Sequence, residues 1–213
     1  MPYDAYVVKL PYREVSIPIE DYTKYYQIKP DDVVVDAGAH VGHYTLQFSS
    51  AVGPNGRVIT IEPDPQVLPI LRDIIKPLKN VTLVTLGLWS KTDVLRFGLT
   101  YGSGRSAISK IIPDDIVYPL YTEIFVDTLD NIIEMQHLER VNFIKMDIEC
   151  AELEALRGAV KTIEDFRPNL AIAAYHNGSR YNIEEMVKLV NPFIEDLNYR
   201  TKYEKGILYG TPI

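Results

Sequence analysis

The chain has 213 residues, 46% hydrophobic and 24% charged, enough for one domain with a substantial buried core. Its net charge of −7 and pI of about 5.1 disfavour a nucleic acid partner, which ordinarily demands a basic footprint. No apolar run approaches the roughly 20 residues that cross a bilayer, Met1 to Ser16 does not read as a secretory leader, and the lone Cys150 excludes an intrachain disulfide and a cysteine-rich metal site; together these point to the cytoplasm and away from membranes.

Residues 1–30, rich in tyrosine and proline, read as an N-terminal cap segment ahead of a domain over 31–213. Val33-Val34-Val35 is the first strand, and Arg57 to Ile61, entered through Gly53-Pro54-Asn55-Gly56, is the second. Val81 to Leu86 is the third. Residues 98–122, with Gly98, Gly102, Gly104, Pro113 and Pro119, lack periodicity and read as an insertion that shapes a lid or substrate loop. Leu129, Ile132 and Ile133 suggest a helix, and Val141 to Met146 the fourth strand. Leu153, Leu156, Val160 and Ile163 recur at helical spacing; Leu170 to Ala174 is the fifth strand. Asn182 and Glu185 resemble a capping box before Met186, Leu189, Val190 and Phe193. Tyr199 to Tyr209 reads as an antiparallel edge hairpin around Glu204-Lys205-Gly206. Strands apolar on both faces, alternating with helices, predict a Rossmann-like α/β fold with a mainly parallel sheet.

The strongest chemical signal is the run from Val33 to Thr45, where a buried strand enters a glycine turn and then a helix that carries Tyr44 and Phe48 inward. Gly38 lets the backbone turn tightly and approach a ligand. The helix N-terminus beyond it suits a carboxylate. Asp36 at the strand end suits an ammonium, and one ligand carrying both is the methionine portion of S-adenosylmethionine. A dinucleotide site would need glycines at His40 and His43, so the G-x-G-x-x-G pattern fails. Glu62, in Ile61-Glu62-Pro63 at the end of the second strand, can take the ribose hydroxyls of an adenosine cofactor. Asp147 and Glu149 fall at the end of the fourth strand, where open parallel sheets gather ligands. His176, after the fifth, has the chemistry of a general base.

The motifs Asp36-Ala37-Gly38-Ala39-His40-Val41-Gly42-His43-Tyr44-Thr45, Ile61-Glu62-Pro63, Val126-Asp127-Thr128-Leu129-Asp130, Ile144 to Glu152, and Arg167-Pro168 together resemble the FkbM family of methyltransferases. The resemblance covers residues 31–176. It implies a seven-stranded methyltransferase sheet, S-adenosylmethionine as donor, and O-methylation of small molecules such as sugars. By position it sets Asp36, Gly38, Ala39, His40, Gly42, Tyr44 and Thr45 around the methionine half and Glu62 with Pro63 at the ribose. Gly87 and Leu88 would flank the adenine, and Asp147 and Glu149 would line the pocket near the methyl group. Two departures stand out. Cys150 replaces the glycine of D-x-E-G-A-E and is strained if that position needs a positive φ. Ala173-Ala174-Tyr175 lacks the acid many members carry before the histidine.

Asp147, His176 and, behind them, Glu149 are the candidate catalytic residues, and no resident metal is expected. A non-catalytic S-adenosylmethionine-binding module and a methyltransferase acting on RNA or protein are the competing readings. The identity of the acceptor and the oligomeric state are not legible in the residues.

Overall fold

The computed structural model describes residues 19–99, 110–112, 120–175 and 183–213. Eighteen elements follow in chain order. The first half comprises α1 (Ile19–Tyr22), β1 (Val33–Ala37), α2 (His43–Val52), β2 (Arg57–Ile61), α3 (Leu68–Ile75), β3 (Val81–Val84), β4 (Gly87–Leu88), β5 (Asp93–Gly98) and β6 (Lys110–Ile111). The second half comprises β7 (Tyr121–Asp127), α4 (Leu129–Met135), β8 (Phe143–Met146), α5 (Glu152–Arg157), α6 (Val160–Phe166), β9 (Asn169–Ala173), α7 (Ile183–Asp196), β10 (Tyr199–Glu204) and β11 (Ile207–Pro212).

A seven-stranded sheet has the order β10-β11-β9-β8-β1-β2-β3. The β9-β8-β1-β2-β3 pairs are parallel, and β11 joins antiparallel to both β9 and β10. Every residue of β1 is buried, as a central strand covered on both faces requires. Alternate residues feed two cores. Val34, Phe48, Val58 and Phe143 pack with Tyr22 on the face that carries α1 and α2. Val35, Ile59, Ile144 and Met146 pack with Leu129, Leu156 and Val190 on the opposite face. From β1 the chain proceeds to β2 and β3 on one side, while β8 and β9 fill the other. The carboxyl ends of β1 and β8 therefore flank the switch in strand order, where open α/β sheets leave a ligand crevice.

Three features differ from the sequence pattern. The helical spacing from Leu153 to Ile163 is two helices, because the chain breaks at Gly158. A Cβ there would lie 2.2 Å from the Trp89 carbonyl oxygen, so only glycine allows α5 and α6 to pass so close to the 89–90 segment. A second sheet of order β4-β7-β5-β6 arises from residues 87–127, including the described ends of the 98–122 insertion. Its inner face buries Phe97, Ile124 and Val126, while Phe125 and Tyr121 face outward. Finally, the described part of the cap segment is anchored: Tyr22 is fully buried, the Tyr209 hydroxyl donates to the Asp21 carbonyl, and Lys24 and Tyr25 both bond Glu204 of the terminal hairpin. Asn182 and the 98–122 glycines other than Gly98 lie outside the described residues.

Candidate active site

The turn after β1 is built on Gly38, at φ 72°. Its N–H donates to the Ile61 carbonyl at 2.9 Å, and that of Ala39 to the same oxygen at 3.2 Å. A Cβ on Gly38 would fall 1.8 Å from the Asp147 carbonyl oxygen, so the corner after β1 lies directly against the end of β8. Gly42 (φ 88°) opens α2, and its N–H bonds the Ala39 carbonyl at 2.8 Å.

Glu62 is buried at the end of β2. One carboxylate oxygen accepts the His40 N–H at 2.8 Å and the other the Asp64 N–H at 2.9 Å, which ties β2 to the corner after β1. Burial pushes its carboxyl up from 4.5 to about 7, against the pull of those two N–H groups. Pro63 follows, half-buried.

Asp36 is fully buried, and the ammonium it meets is the chain's own. Its Oδ1 accepts from Lys145 Nζ at 3.0 Å and its Oδ2 from the Thr45 hydroxyl at 2.6 Å. Asp36 and Lys145 are register partners on neighbouring strands, so the ion pair follows from the β1–β8 alignment. Removing one member of so buried a pair strands the other charge, at a cost of about 3–5 kcal/mol. Lys145 was legible as a charge inside the apolar run Phe143-Ile144-Lys145-Met146: a lysine in a strand covered on both faces needs an acid opposite it.

Asp147, just past β8, collects two phenols. Its Oδ2 accepts from Tyr22 at 3.0 Å and from Tyr175 at 2.7 Å, and the two hydroxyls lie 3.1 Å apart. Burial first, and the Asp147 charge second, raise both tyrosines well above their usual value, so both keep their protons at neutral pH. The rings continue inward: Tyr22 meets Tyr44 edge-on at 5.0 Å, and Tyr44 stacks with Phe48 at 6.1 Å. Sequence reasoning placed Tyr22 within the tyrosine-rich cap segment and gave Tyr175 no role. Tyr175 carried a legible signal as a tyrosine just past the strand that neighbours the one ending beside Asp147, whereas Tyr22 reaches Asp147 across 125 residues and carried none.

Glu149 and Cys150 both have positive φ, 56° and 74°, in the turn that leads to α5. The position where the family carries glycine is thus left-handed here, and the cysteine is held in that strained region. The Ile148 N–H is taken by Glu152, whose side chain is buried at the start of α5. Gly87 and Leu88 form β4; their pairing with β7 ties them to the second sheet, while Leu88 packs into the core of the main sheet beside Ile59 and Ile144. The structure therefore brings together the 36–45 corner, Glu62 and Asp147, while His176 lies outside the described residues. Among the described residues no group of three or more His, Cys, Asp or Glu side chains is placed to hold a metal ion.

The seven-stranded order with its antiparallel hairpin, and a glycine corner at the strand switch, define a Rossmann-like methyltransferase fold. The sequence matches the Methyltransferase FkbM domain over residues 36–201. A methyltransferase FkbM from Methylobacillus flagellatus KT is 24% identical, with a TM-score of 0.63, over 88% of this chain and 45% of that one. A putative methyltransferase from Streptococcus mutans, solved in complex with SAH, is 14% identical with a TM-score of 0.53, over 92% of this chain and 99% of that one. A ribosomal RNA small subunit methyltransferase H from Caldicellulosiruptor saccharolyticus is 24% identical over 110 residues, which are 48% of this chain and 36% of that protein. This chain thus spans under half the length of both the Methylobacillus and the Caldicellulosiruptor proteins. The chain belongs to the FkbM family of S-adenosylmethionine-dependent methyltransferases.

The residues present fit that donor at the end of β2, where Glu62 presents a buried carboxylate one strand away from the corner. The space in front of Gly38 is filled by the end of β8, so that glycine serves the shape of the corner.

Proposed function

We propose that the chain methylates a hydroxyl of a small molecule, with Asp147 taking the acceptor's proton. The observation that carries this is the meeting of the Tyr22 and Tyr175 hydroxyls on one oxygen of Asp147, beside the Gly38 turn. In this reading Gly38, Ala39, His40 and Gly42 form the backbone bed for the methionyl end, with Tyr44 beside it. Glu62, flanked by Pro63, takes the ribose hydroxyls. Asp36 and Thr45 act from beneath the corner. The bound donor supplies a methyl group already activated on a sulfonium.

The chain's task is then to position the acceptor, exclude water and receive one proton. Three oxygen–oxygen contacts link Tyr22, Tyr175 and Asp147, but the two phenols supply only two protons. A proton delivered to Asp147 completes a ring of three O–H···O bonds, which gives the proton a place to sit; the two phenols meanwhile keep the carboxylate ionised and ready to receive it. As the acceptor oxygen takes the methyl, the carbon–sulfur electron pair stays on sulfur and the hydroxyl proton passes to Asp147.

Replacing Asp147 with Asn tests this. Transfer of labelled methyl to polyhydroxylated and phenolic acceptors should fall by about 10²–10⁴, the usual worth of a positioned base. Donor affinity should stay within a few-fold, as an interaction made with the acceptor demands. Undiminished turnover in this variant rejects the assignment. RNA as acceptor is a second reading, favoured by the likeness to the ribosomal RNA methyltransferase. Retention of RNA at physiological salt, despite the net charge of −7, would support it.

A further inference from the structure

Lys145 is buried to 1% exposure, and among the described residues it is the only buried lysine. An ammonium has three protons to give, and Lys145 places each on one stretch of backbone and side chain. Its Nζ lies 3.0 Å from Asp36 Oδ1, 3.2 Å from the Ala37 carbonyl oxygen and 2.7 Å from that of Gly38. The far side is closed by the rings of Tyr44 at 5.3 Å and Tyr22 at 5.8 Å, within range of cation–π attraction. A carboxylate with two carbonyls is the acceptor set that would hold the ammonium of an amino acid, and here the chain fills it from within. The lysine extends from β8, whereas all three acceptors belong to β1 and its turn.

We infer that Lys145 is a positioning residue for the methionyl end of the donor: its ammonium occupies the Asp36–Ala37–Gly38 cradle, fixes the left-handed turn at Gly38, and obliges the donor's own ammonium to find other acceptors. This rests on the reading of the corner as the donor site. Asp36 then serves the donor through Lys145 and not by contact. The adenosine end, at Glu62, shares none of the cradle's three acceptors, although the Lys145 charge reaches its carboxylate.

Two ligands separate these roles. S-adenosylhomocysteine carries the amino-acid end, and 5′-methylthioadenosine lacks it. In Lys145→Met the affinity for S-adenosylhomocysteine should fall about tenfold to hundredfold, the effect of a small displacement of binding groups. Affinity for 5′-methylthioadenosine should hold within about twofold, since its contacts are elsewhere. Lys145→Met combined with Asp36→Asn removes both buried charges, and should keep the same selective loss while melting closer to the unaltered protein. In the unaltered protein the ¹⁵Nζ resonance of Lys145 should shift with S-adenosylhomocysteine and stay in place with 5′-methylthioadenosine. Equal losses for both ligands, unchanged affinity for both, or an Nζ resonance that answers both alike would each overturn the inference. If the unaltered protein binds neither ligand, the reading of the corner itself has failed.

Discussion

Glu62 shows how one buried carboxylate links folding to pH. Because burial raises its carboxyl from 4.5 to about 7, the native state holds the proton more tightly than the unfolded chain. Its contribution to stability is therefore full below about 4.5 and is lost as pH rises through about 7. Binding in the proposed role has the opposite sign, since ribose hydroxyls donate to the ionised form. Donor affinity should strengthen from about pH 6 to about pH 8, and binding near neutrality should release a proton, seen by calorimetry in buffers of different ionisation heat. Glu62→Gln should weaken binding about tenfold or more and flatten that pH dependence, given the worth of hydrogen bonds to a charged acceptor. A pH dependence that survives in Glu62→Gln assigns it to another group. Glu62 was legible because an acid ending a strand stands out against apolar neighbours. The internal ion pair of Asp36 was not, since pairing it with Lys145 needs the register between strands 109 residues apart.

Among the elements, the turn from β8 into α5 carries the clearest departure from the family pattern. Cys150 sits at φ 74°, a conformation that costs a residue with a Cβ about 1–3 kcal/mol. Cys150→Gly should therefore raise stability by about 1 kcal/mol, after discounting the contacts its half-buried side chain makes with the core. Chemical denaturation at constant slope checks this, and a less stable variant would mean that the thiol's contacts outweigh the strain. The parallel strands and the closing hairpin were readable because each is a short apolar run bounded by turn residues; β2 coincides with its predicted limits. The second sheet was not. In β5 and β7 the outward positions include Val94, Tyr121 and Phe125, so the polar alternation that marks a half-exposed strand is blurred. β4 and β6 have two residues each, below what periodicity can register.

On the scale of the whole molecule, the two halves of the site are assembled from different reaches of the chain. The proposed donor corner comes from strands neighbouring in the sheet, β1, β2 and β8. The proposed acceptor side includes Tyr22, whose helix is held by the hairpin through a contact spanning 188 residues. That contact can form only after the terminal hairpin has joined the sheet through β9, so α1 docks after the strands that build the corner. Refolding from denaturant should thus proceed unevenly, with S-adenosylhomocysteine binding regained before methyl transfer, as read by quenched-flow sampling of both. Simultaneous recovery would show that the helix docks as the sheet forms. With that order of assembly the polypeptide would acquire a grip on its reagent first and the competence to spend it last, which would guard against unproductive chemistry in half-made molecules.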